Sequence, residues 1–311
     1  MGEFSSFFQE LLVLYSITAI GIAAKKSSIL DPSADRAITQ LVLYITLPAL
    51  ILYSMDFPLT NELVVQLAWL LFLSCLALGL GCMLAWLWVR KYRLPESRQG
   101  VFQGLMVFGN QGFLGYAICF ALLAESGIAF AALFNLPFLV LIWTYGIYLM
   151  AKSKDSFSWK TLCLNPGVLA TLGGLLFLCI PAAWPSPFSY LLHSLGSTTI
   201  PLSMVLLGSL LGNLRWEEVV RLGKDQHLWV ATGVKLLLLP LLLFPFTYLG
   251  VHPEVLMVAV LLTGMPSAPT TPLFAQKYGG DASFGSIGVM ISTVLAFVTI
   301  PLLYLLLVRF S

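Results

Sequence analysis

Two apolar segments of this 311-residue chain are interrupted near their middle by glycine, proline and polar residues. The first interruption runs from Gly109 to Gly115, and the second runs from Gly264 to Pro272. Where a helix restarts after such an interruption, its first N–H groups are unpaired and its dipole is positive. Amide and hydroxyl side chains beside these N–H groups add further donors. The combination favours binding of an anion, most simply a carboxylate.

The side chains expected to contact such an anion are amides, hydroxyls and one lysine. The candidate substrate-binding residues are Asn110, Gln111, Asn135, Lys235, Ser267, Thr270, Thr271 and Ser292. The candidate helix-break or hinge residues are Gly109, Gly112, Gly115, Pro266, Pro269, Pro272, Pro48 and Pro201. An alternative interpretation is that the polar side chains at the breaks only satisfy the freed backbone, while Asn135 and Ser292 hold packed helices together.

Lys235 is the one full charge clearly inside an apolar segment. An ionisable residue within a membrane segment is a functional candidate by default. The alternative is that its long stem carries the ammonium to the membrane surface. No catalytic residue, cofactor or metal site is predicted, and the five cysteines, which form no CxxC motif, are interpreted as packing residues.

The composition identifies the kind of element that holds these residues. The chain is 59% hydrophobic and 10% charged, whereas soluble domains contain about 25% charged residues. This indicates an all-α polytopic membrane protein, and a net charge of +2 gives no reason to expect nucleic acid as a partner. Ten segments are candidates to cross the bilayer, at residues 6–24, 38–55, 63–89, 99–122, 127–150, 166–181, 187–212, 227–249, 253–277 and 282–308.

Two internal echoes divide these ten segments into halves. Thr46-Leu47-Pro48 in the second segment recurs as Thr199-Ile200-Pro201 in the seventh, and the glycine that opens the first break recurs at Gly264. Because each half has five helices, the second must be inverted in the membrane. The predicted organisation is a first repeat at residues 1–150, a cytoplasmic connection at 151–165 and an inverted repeat at 166–311. Inverted repeats with broken helices 4 and 9 crossing at the centre are typical of carriers.

The distribution of lysine and arginine predicts the orientation. Connections after odd-numbered helices carry Lys25, Lys26, Arg36, Arg90, Lys91, Arg93, Arg98, Lys152, Lys154, Lys160, Arg215, Arg221, Lys224 and Lys277, and the other side carries Arg309. Since positive loops stay in the cytoplasm, both termini are expected outside it, in a prokaryotic inner membrane. Glu3 ahead of the first apolar run and Lys25 after it are the reverse of a cleaved signal peptide.

Other functional classes have weaker support. Asp31 and Asp35 have the DxxxD spacing with which membrane prenyltransferases bind magnesium diphosphate, but a second Asp-rich loop is missing. Asp31 is more simply a helix cap ahead of Pro32. A sensor without transport and a channel are further alternatives. No Asp or Glu lies mid-segment, which weakens the alternative of a sodium- or proton-coupled symporter without excluding it.

Several short motifs resemble those of the auxin efflux carrier family, and the resemblance covers nearly the whole chain. The matching stretches are Asn110 with Gly115, Asn165-Pro166, Ile200-Pro201-Leu202 with Gly208, Lys235 at a position that is often basic, and Pro266 through Phe274-Ala275-Gln276-Lys277-Tyr278. The chain departs from the plant carriers in lacking a long central loop. It also has Ser267-Ala268-Pro269-Thr270-Thr271 where plant carriers have a Gln-Gly-Ile-Val run, so auxin itself is not expected as the substrate.

The resemblance implies a fold, a partner and a mechanism. It implies ten helices like those of bile-acid sodium symporters, with helices 1, 2, 6 and 7 as a scaffold and helices 3–5 and 8–10 as a transport domain. It implies organic-anion substrates, elevator-like movement and a homodimer formed through helices 2 and 7. Short members of this kind resemble bacterial permeases, some associated with malate or malonate. The expected partners are therefore a small organic anion, a mono- or dicarboxylate such as a malate-like or auxin-like acid, together with the lipid bilayer and a second copy of the chain.

Overall fold

The computed structural model describes residues 2–56, 60–150, 164, 166–178, 180, 184–212, 217, 220 and 222–310. Apart from Leu164, the predicted cytoplasmic connection at residues 151–165 lies outside the described residues. Asn165 of the Asn-Pro motif and the positively charged Arg215 and Arg221 also lie outside them.

The described part of the first half is helical. Its helices are α1 (Gly2–Lys26), α2 (Pro32–Leu41), α3 (Leu47–Ser54), α4 (Asn61–Tyr92), α5 (Glu96–Val107), α6 (Tyr116–Leu141) and α7 (Ile147–Met150). Helix α6 is two helices joined at Ala124, whose φ of 50° and ψ of −134° are not helical. This kink falls between the predicted fourth and fifth segments, at the position expected for a connection.

The second half has the same character. Its helices are α8 (Pro166–Leu178), α9 (Ser186–Gly196), α10 (Thr199–Gly212), α11 (Gln226–Gly233), α12 (Leu239–Leu241), α13 (Pro253–Thr263), α14 (Thr270–Tyr278) and α15 (Ala282–Phe310), with a 3₁₀ turn at Phe244–Leu249. Within the described ranges there is no β-strand beyond one isolated residue pair.

Among the described residues, six helical stretches are long and apolar enough to cross a bilayer. They are Pro32–Ser54, Asn61–Tyr92, Gln111–Leu141, Ser186–Gly212, Gln226–Leu249 and Ala282–Arg309, and Pro166–Phe177 and Pro253–Thr263 are shorter apolar helices. An all-helical chain with this many apolar helices is a polytopic membrane protein, as the composition indicates.

Four π-helical turns interrupt the apolar helices in the part of the chain that the structure describes, and π-helical geometry was not predicted from sequence at any of them. They are Val42–Thr46, Gln111–Gly115, Ile142–Gly146 and Val234–Leu238. Such turns leave the regular hydrogen-bond pattern and often occur at functional positions. The second lies within the first predicted break and ends with it at Gly115, and the fourth contains Lys235.

The first compact unit comprises residues 1–68, 112–136 and 160–213. Helix α1 packs along α10, and two glycines allow their backbones to approach. A methyl group on Gly208 would overlap the Thr18 carbonyl, and one on Gly21 would overlap the Val205 carbonyl. The Gly208-xxx-Gly212 pattern therefore serves close helix packing within the chain.

The two aspartates of the DxxxD motif have structural partners in this unit. Asp31 caps α2 by accepting a hydrogen bond from the Ala34 amide at 2.7 Å, and Pro32 opens the helix. The amide, with the Ser33 hydroxyl, holds the pKa of the Asp31 carboxyl below its usual range. Asp35 accepts hydrogen bonds from Lys25 at 2.6 Å and from Ser209. The cap confirms the simpler interpretation of this motif.

The second compact unit comprises residues 69–111, 137–159 and 214–311. In it, α5 packs against α7, α11, α14 and α15. Arg98, in the first turn of α5, joins three elements by bonding to Asp225 at 2.9 Å and to Asp281 at 2.8 Å. Asp225 caps α11, and Asp281 accepts from the Phe284 amide at the start of α15.

Candidate functional site

The two predicted breaks contact each other within the second unit. Helix α5 ends at Val107, helix α13 ends at Thr263, and the unwound segments that follow are antiparallel at Gly109 and Ser267. Two main-chain hydrogen bonds join them. The Asn110 amide donates to the Pro266 carbonyl at 2.6 Å, and the Ala268 amide donates to the Phe108 carbonyl at 2.9 Å. We call the paired segments, residues 108–111 and 264–271, the crossing.

Several polar side chains at the crossing satisfy backbone groups that the breaks release. The Ser267 hydroxyl donates to the Leu105 carbonyl at 2.7 Å, and the Gln111 amide donates to the Leu262 carbonyl at 3.2 Å. The Ser292 hydroxyl accepts from the Ser267 amide at 3.1 Å and donates to the Val289 carbonyl at 2.9 Å. For Ser267 and Ser292, structural satisfaction of the backbone therefore accounts for the polar group.

Lys235 lies beside the first break. Its side chain is 2% exposed, and Nζ donates to the Val107 carbonyl at 3.1 Å. Because Val107 is the last residue of α5, this carbonyl is at the negative end of the helix dipole, where a cation is favourable. A methyl group on Gly109 would lie 3.1 Å from both Cε and Nζ of Lys235. The lysine head thus packs against the unwound backbone rather than reaching an exposed surface.

Other polar atoms near the second break have no hydrogen-bond partner among the described residues. They are Gln111 Oε1, Thr263 Oγ1, Thr270 Oγ1 and Thr271 Oγ1. Buried polar atoms are normally paired, so such a group needs an explanation, of which a ligand is one. Thr263 was not among the candidates from sequence. The sequence feature that could have identified Thr263 is its hydroxyl in the last turn of the helix, directly before the glycine- and proline-containing second break.

The half-helix that starts after the second break offers few backbone donors. Helix α14 begins with Thr270, and prolines at 269 and 272 have no N–H. The Thr271 amide donates to the Ala268 carbonyl at 3.0 Å. Of the main-chain donors expected at this helix start, the Thr270 N–H is the one left. The N-terminus of α14 is therefore a weaker anion site than the sequence of the second break indicated.

The remaining candidates lie in the first unit, apart from the crossing residues described above. Asn135 is buried in α6 and hydrogen-bonds Tyr116. Gly112 and Gly115 belong to the π-helical turn that begins at Gln111. Pro48 is in the first turn of α3, and Pro201 is in the first turn of α10.

One cavity of about 230 Å³ lies in the second unit, at the start of α5 and away from the crossing. It is lined by Glu96, Ser97, Gly100, Val101, Leu149, Met150, Gly279 and Gly280. A carboxylate without a cation in the lining disfavours an anionic ligand. The crossing, which has a buried basic group, is therefore the better candidate for an anion.

Comparison with known proteins identifies relatives along nearly the whole chain. The sequence profile of a family described as "membrane transport protein" matches residues 6–160 and 155–304. An uncharacterised transporter of Methanocaldococcus jannaschii is 24% identical over 94% of this chain and 96% of its own length. A second, from Methanothermobacter thermautotrophicus, is 25% identical over the same shares. A Rhizobium meliloti protein named "putative malonate transporter" is 24% identical over 85% of each chain.

Proposed function

Because the chain belongs to the membrane transport protein family, which is that of the auxin efflux carriers, we propose that it is a secondary carrier of small organic anions with its substrate site at the crossing. The observation that carries the proposal is the pairing of two broken helices beside the buried Lys235. Unwound backbone at membrane depth persists only inside protein or beside a wet cavity, and in carriers it forms the substrate site. The family makes the chain a transporter and not an enzyme.

The architecture in this proposal has ten spans in two inverted repeats. Helical segments occur in all ten stretches identified from the sequence, which supports that count. Of these ten spans, counted along the sequence, spans 1, 2, 6 and 7 are proposed as the scaffold of an inner-membrane homodimer, which forms through spans 2 and 7. Spans 3–5 and 8–10 are proposed as the mobile domain of an elevator-type transporter. Both termini are extracytoplasmic in this proposal.

The proposed substrates are mono- or dicarboxylates of malate or malonate size. The single buried amino group at the crossing suits one carboxylate group, and one relative is named as a malonate transporter. The test is a thermal-shift screen of acetate, malonate, malate and indole-3-acetate on the purified protein, followed by uptake into liposomes. A ligand that binds the folded protein but not the unfolded chain raises the unfolding temperature. No shift with any of the four acids and no uptake would contradict the proposal.

Asn110 is proposed to donate a side-chain hydrogen bond to the substrate carboxylate. We expect Asn110→Ala to weaken binding by about 1–3 kcal/mol, the range for a lost hydrogen bond to a charged group. Folding should change little, because the Asn110 hydrogen bond that joins the breaks is made by its backbone amide. Titration calorimetry measures the effect, with Asn61→Ala at the exposed start of α4 as the matched control. An unchanged dissociation constant in a folded variant would exclude this role.

The proposed orientation can be tested by labelling single cysteines. In a background without the native cysteines, Ser27→Cys follows the first helix and Ser186→Cys precedes the seventh, and both side chains are exposed. The distribution of lysine and arginine puts them on opposite faces of the membrane. We expect a membrane-impermeant maleimide to label Ser186→Cys but not Ser27→Cys in intact cells. Labelling of both to the same extent would refute the orientation.

Substrate binding is predicted not to require sodium. Sodium takes about five or six oxygen ligands, and without a carboxylate most of them would have to be backbone carbonyls, supplemented by amide and hydroxyl oxygens at the break. Five carbonyls around the crossing already accept hydrogen bonds, namely those of Leu105, Val107, Phe108, Leu262 and Pro266. Titration of the same acid in sodium and in choline buffer of equal ionic strength should give the same affinity. A loss of about tenfold or more in choline, or about 1.4 kcal/mol, would reveal a sodium site.

A further inference from the structure

Lys235 is a buried amine whose surroundings are neutral. Its Nζ donates a hydrogen bond to the main-chain carbonyl of Val107, and the backbone of Gly109 packs beside it. A neutral amine can donate to a carbonyl, as an ammonium does. An ammonium with no counter-ion, however, bears most of the cost of leaving water, because the partial negative charge at the end of α5 offsets only part of it. The lysine therefore has the hydrogen bond that a neutral side chain needs but not the anion that a charged one needs.

The charged groups on the neighbouring elements are too distant to supply that anion. The segment 234–238 packs against α5, α11, α12 and α15, and α12 carries no ionisable group. The acids at the starts of the other three lie far along the chain from the buried amine: Glu96 is 11 residues before Val107, Asp225 is 10 before Lys235 and Asp281 is 11 before Ser292. In a helix this corresponds to about 15 Å at 1.5 Å per residue. Arg98 binds two of them, Asp225 and Asp281.

The other titratable groups on these elements are not acids that could pair with an ammonium. His227 is in the first turn of α11, where it accepts from Trp88 at 3.2 Å. On α15, Tyr304 lies beyond the middle of the helix and Arg309 lies in its last turn. Helix α4 approaches Val107 and Leu239 at Gly81. The titratable group of α4 nearest to this point is the half-buried thiol of Cys82.

We infer that Lys235 is a neutral amine in the empty carrier and takes up a proton when an anion binds at the crossing, so that each anion is carried with one proton. The inference rests on the proposed function. The amine lone pair of Lys235 forms an N–H bond with a proton from the solvent on the side from which the anion arrives. The resulting ammonium pairs with the bound carboxylate. Both the anion and the proton leave on the other side when the N–H bond breaks, and nothing is oxidised or reduced.

Calorimetry of anion binding counts the protons directly. The first acid of the screen that binds is titrated at one pH between about 7 and 8, where carboxylic acids are fully ionised. The titration is repeated in buffers of different ionisation enthalpy. The observed heat should vary with that enthalpy with a slope of about one proton per anion. The affinity should also fall about tenfold for each unit by which the pH rises across this range, since binding is linked to one proton.

Two variants show where the proton goes. Arginine stays charged at every accessible pH, so Lys235→Arg should bring the slope close to zero. Lys277→Met, which removes an exposed lysine at the end of α14, should leave the slope unchanged. In liposomes with a clamped potential, entry of the anion should acidify the lumen with the wild-type protein.

The outcomes separate this inference from the proposed function. Binding with a slope near zero in the wild type would overturn proton uptake while the anion carrier stands. A slope near one that survives in Lys235→Arg would assign the proton to another group and would also overturn the inference. If none of the four acids binds or is transported, the proposed function fails, and the inference fails with it.

Discussion

Lys235→Met is expected to reduce anion uptake into proteoliposomes to the level of empty liposomes. Methionine keeps most of the packing volume of the lysine stem but removes the amine that is proposed to pair with the substrate. The loss of a hydrogen bond to a charged partner is about 1.5–3 kcal/mol, or about ten- to a hundredfold in affinity, before any effect on movement. Uptake of the radiolabelled acid that the screen identifies measures the change.

The stability of the same variant distinguishes a functional lysine from a structural one. Burying a hydrogen-bonded amine gains little stability over burying an apolar side chain of similar volume, because the cost of taking the amine out of water offsets its hydrogen bond. We therefore expect Lys235→Met to unfold at the same temperature as the wild type or at a higher one. Transport at wild-type rate would refute a role in the site. A large drop in unfolding temperature would mean that the hydrogen bond to Val107 is needed for folding.

Gly208→Ala is expected to destabilise the protein more than any of the other substitutions proposed above. The added methyl group would overlap the main-chain carbonyl of Thr18, and a backbone carbonyl cannot rotate away as a side chain can. Helices α1 and α10 would have to separate along their contact. Overpacking of this kind costs about 1–3 kcal/mol and sometimes more. The loss should appear as a lower unfolding temperature in detergent.

Gly79 provides a matched control for this substitution. It lies within α4, and a methyl group there would have no atom within 4 Å. Gly79→Ala should leave the unfolding temperature unchanged or raise it, because alanine favours the helix over glycine by about 0.5–1 kcal/mol. If both variants unfold at the same temperature, the close contact of α1 with α10 does not contribute to stability.

The positions of the breaks were predictable because each local cause is written in the sequence. Glycine and proline in an apolar run interrupt a regular helix, and the structure leaves helical geometry at Phe108 and at Gly264. Asp31 before Pro32 is likewise a local cap signal, and it caps α2 as predicted. Such features depend on a few consecutive residues, so periodicity and turn chemistry are sufficient to find them.

The partners at the crossing were not predictable in the same way. Lys235 bonds to a carbonyl 128 residues away, and a main-chain acceptor leaves no trace in the sequence. The π-helical turns also lack a sequence signal, because no residue type is specific for them. From the sequence, Arg98 was interpreted only as one of the positive charges that set the orientation. In the structure it pairs with Asp225 and Asp281, which lie at the starts of two helices. Long-range pairings of this kind depend on packing that a single sequence does not record.

The main-chain pairing at the crossing has a consequence for how this protein can evolve. Its two hydrogen bonds join main-chain groups, the Asn110 amide to the Pro266 carbonyl and the Ala268 amide to the Phe108 carbonyl. Neither bond requires a particular side chain at these residues, except that a proline at 110 or 268 would remove a donor. A substitution that fits the space around these residues therefore keeps the two main-chain hydrogen bonds that join the breaks. With the substrate at the crossing, as proposed, selectivity could change during evolution while these bonds persist, so a library restricted to these positions should yield folded carriers with altered selectivity.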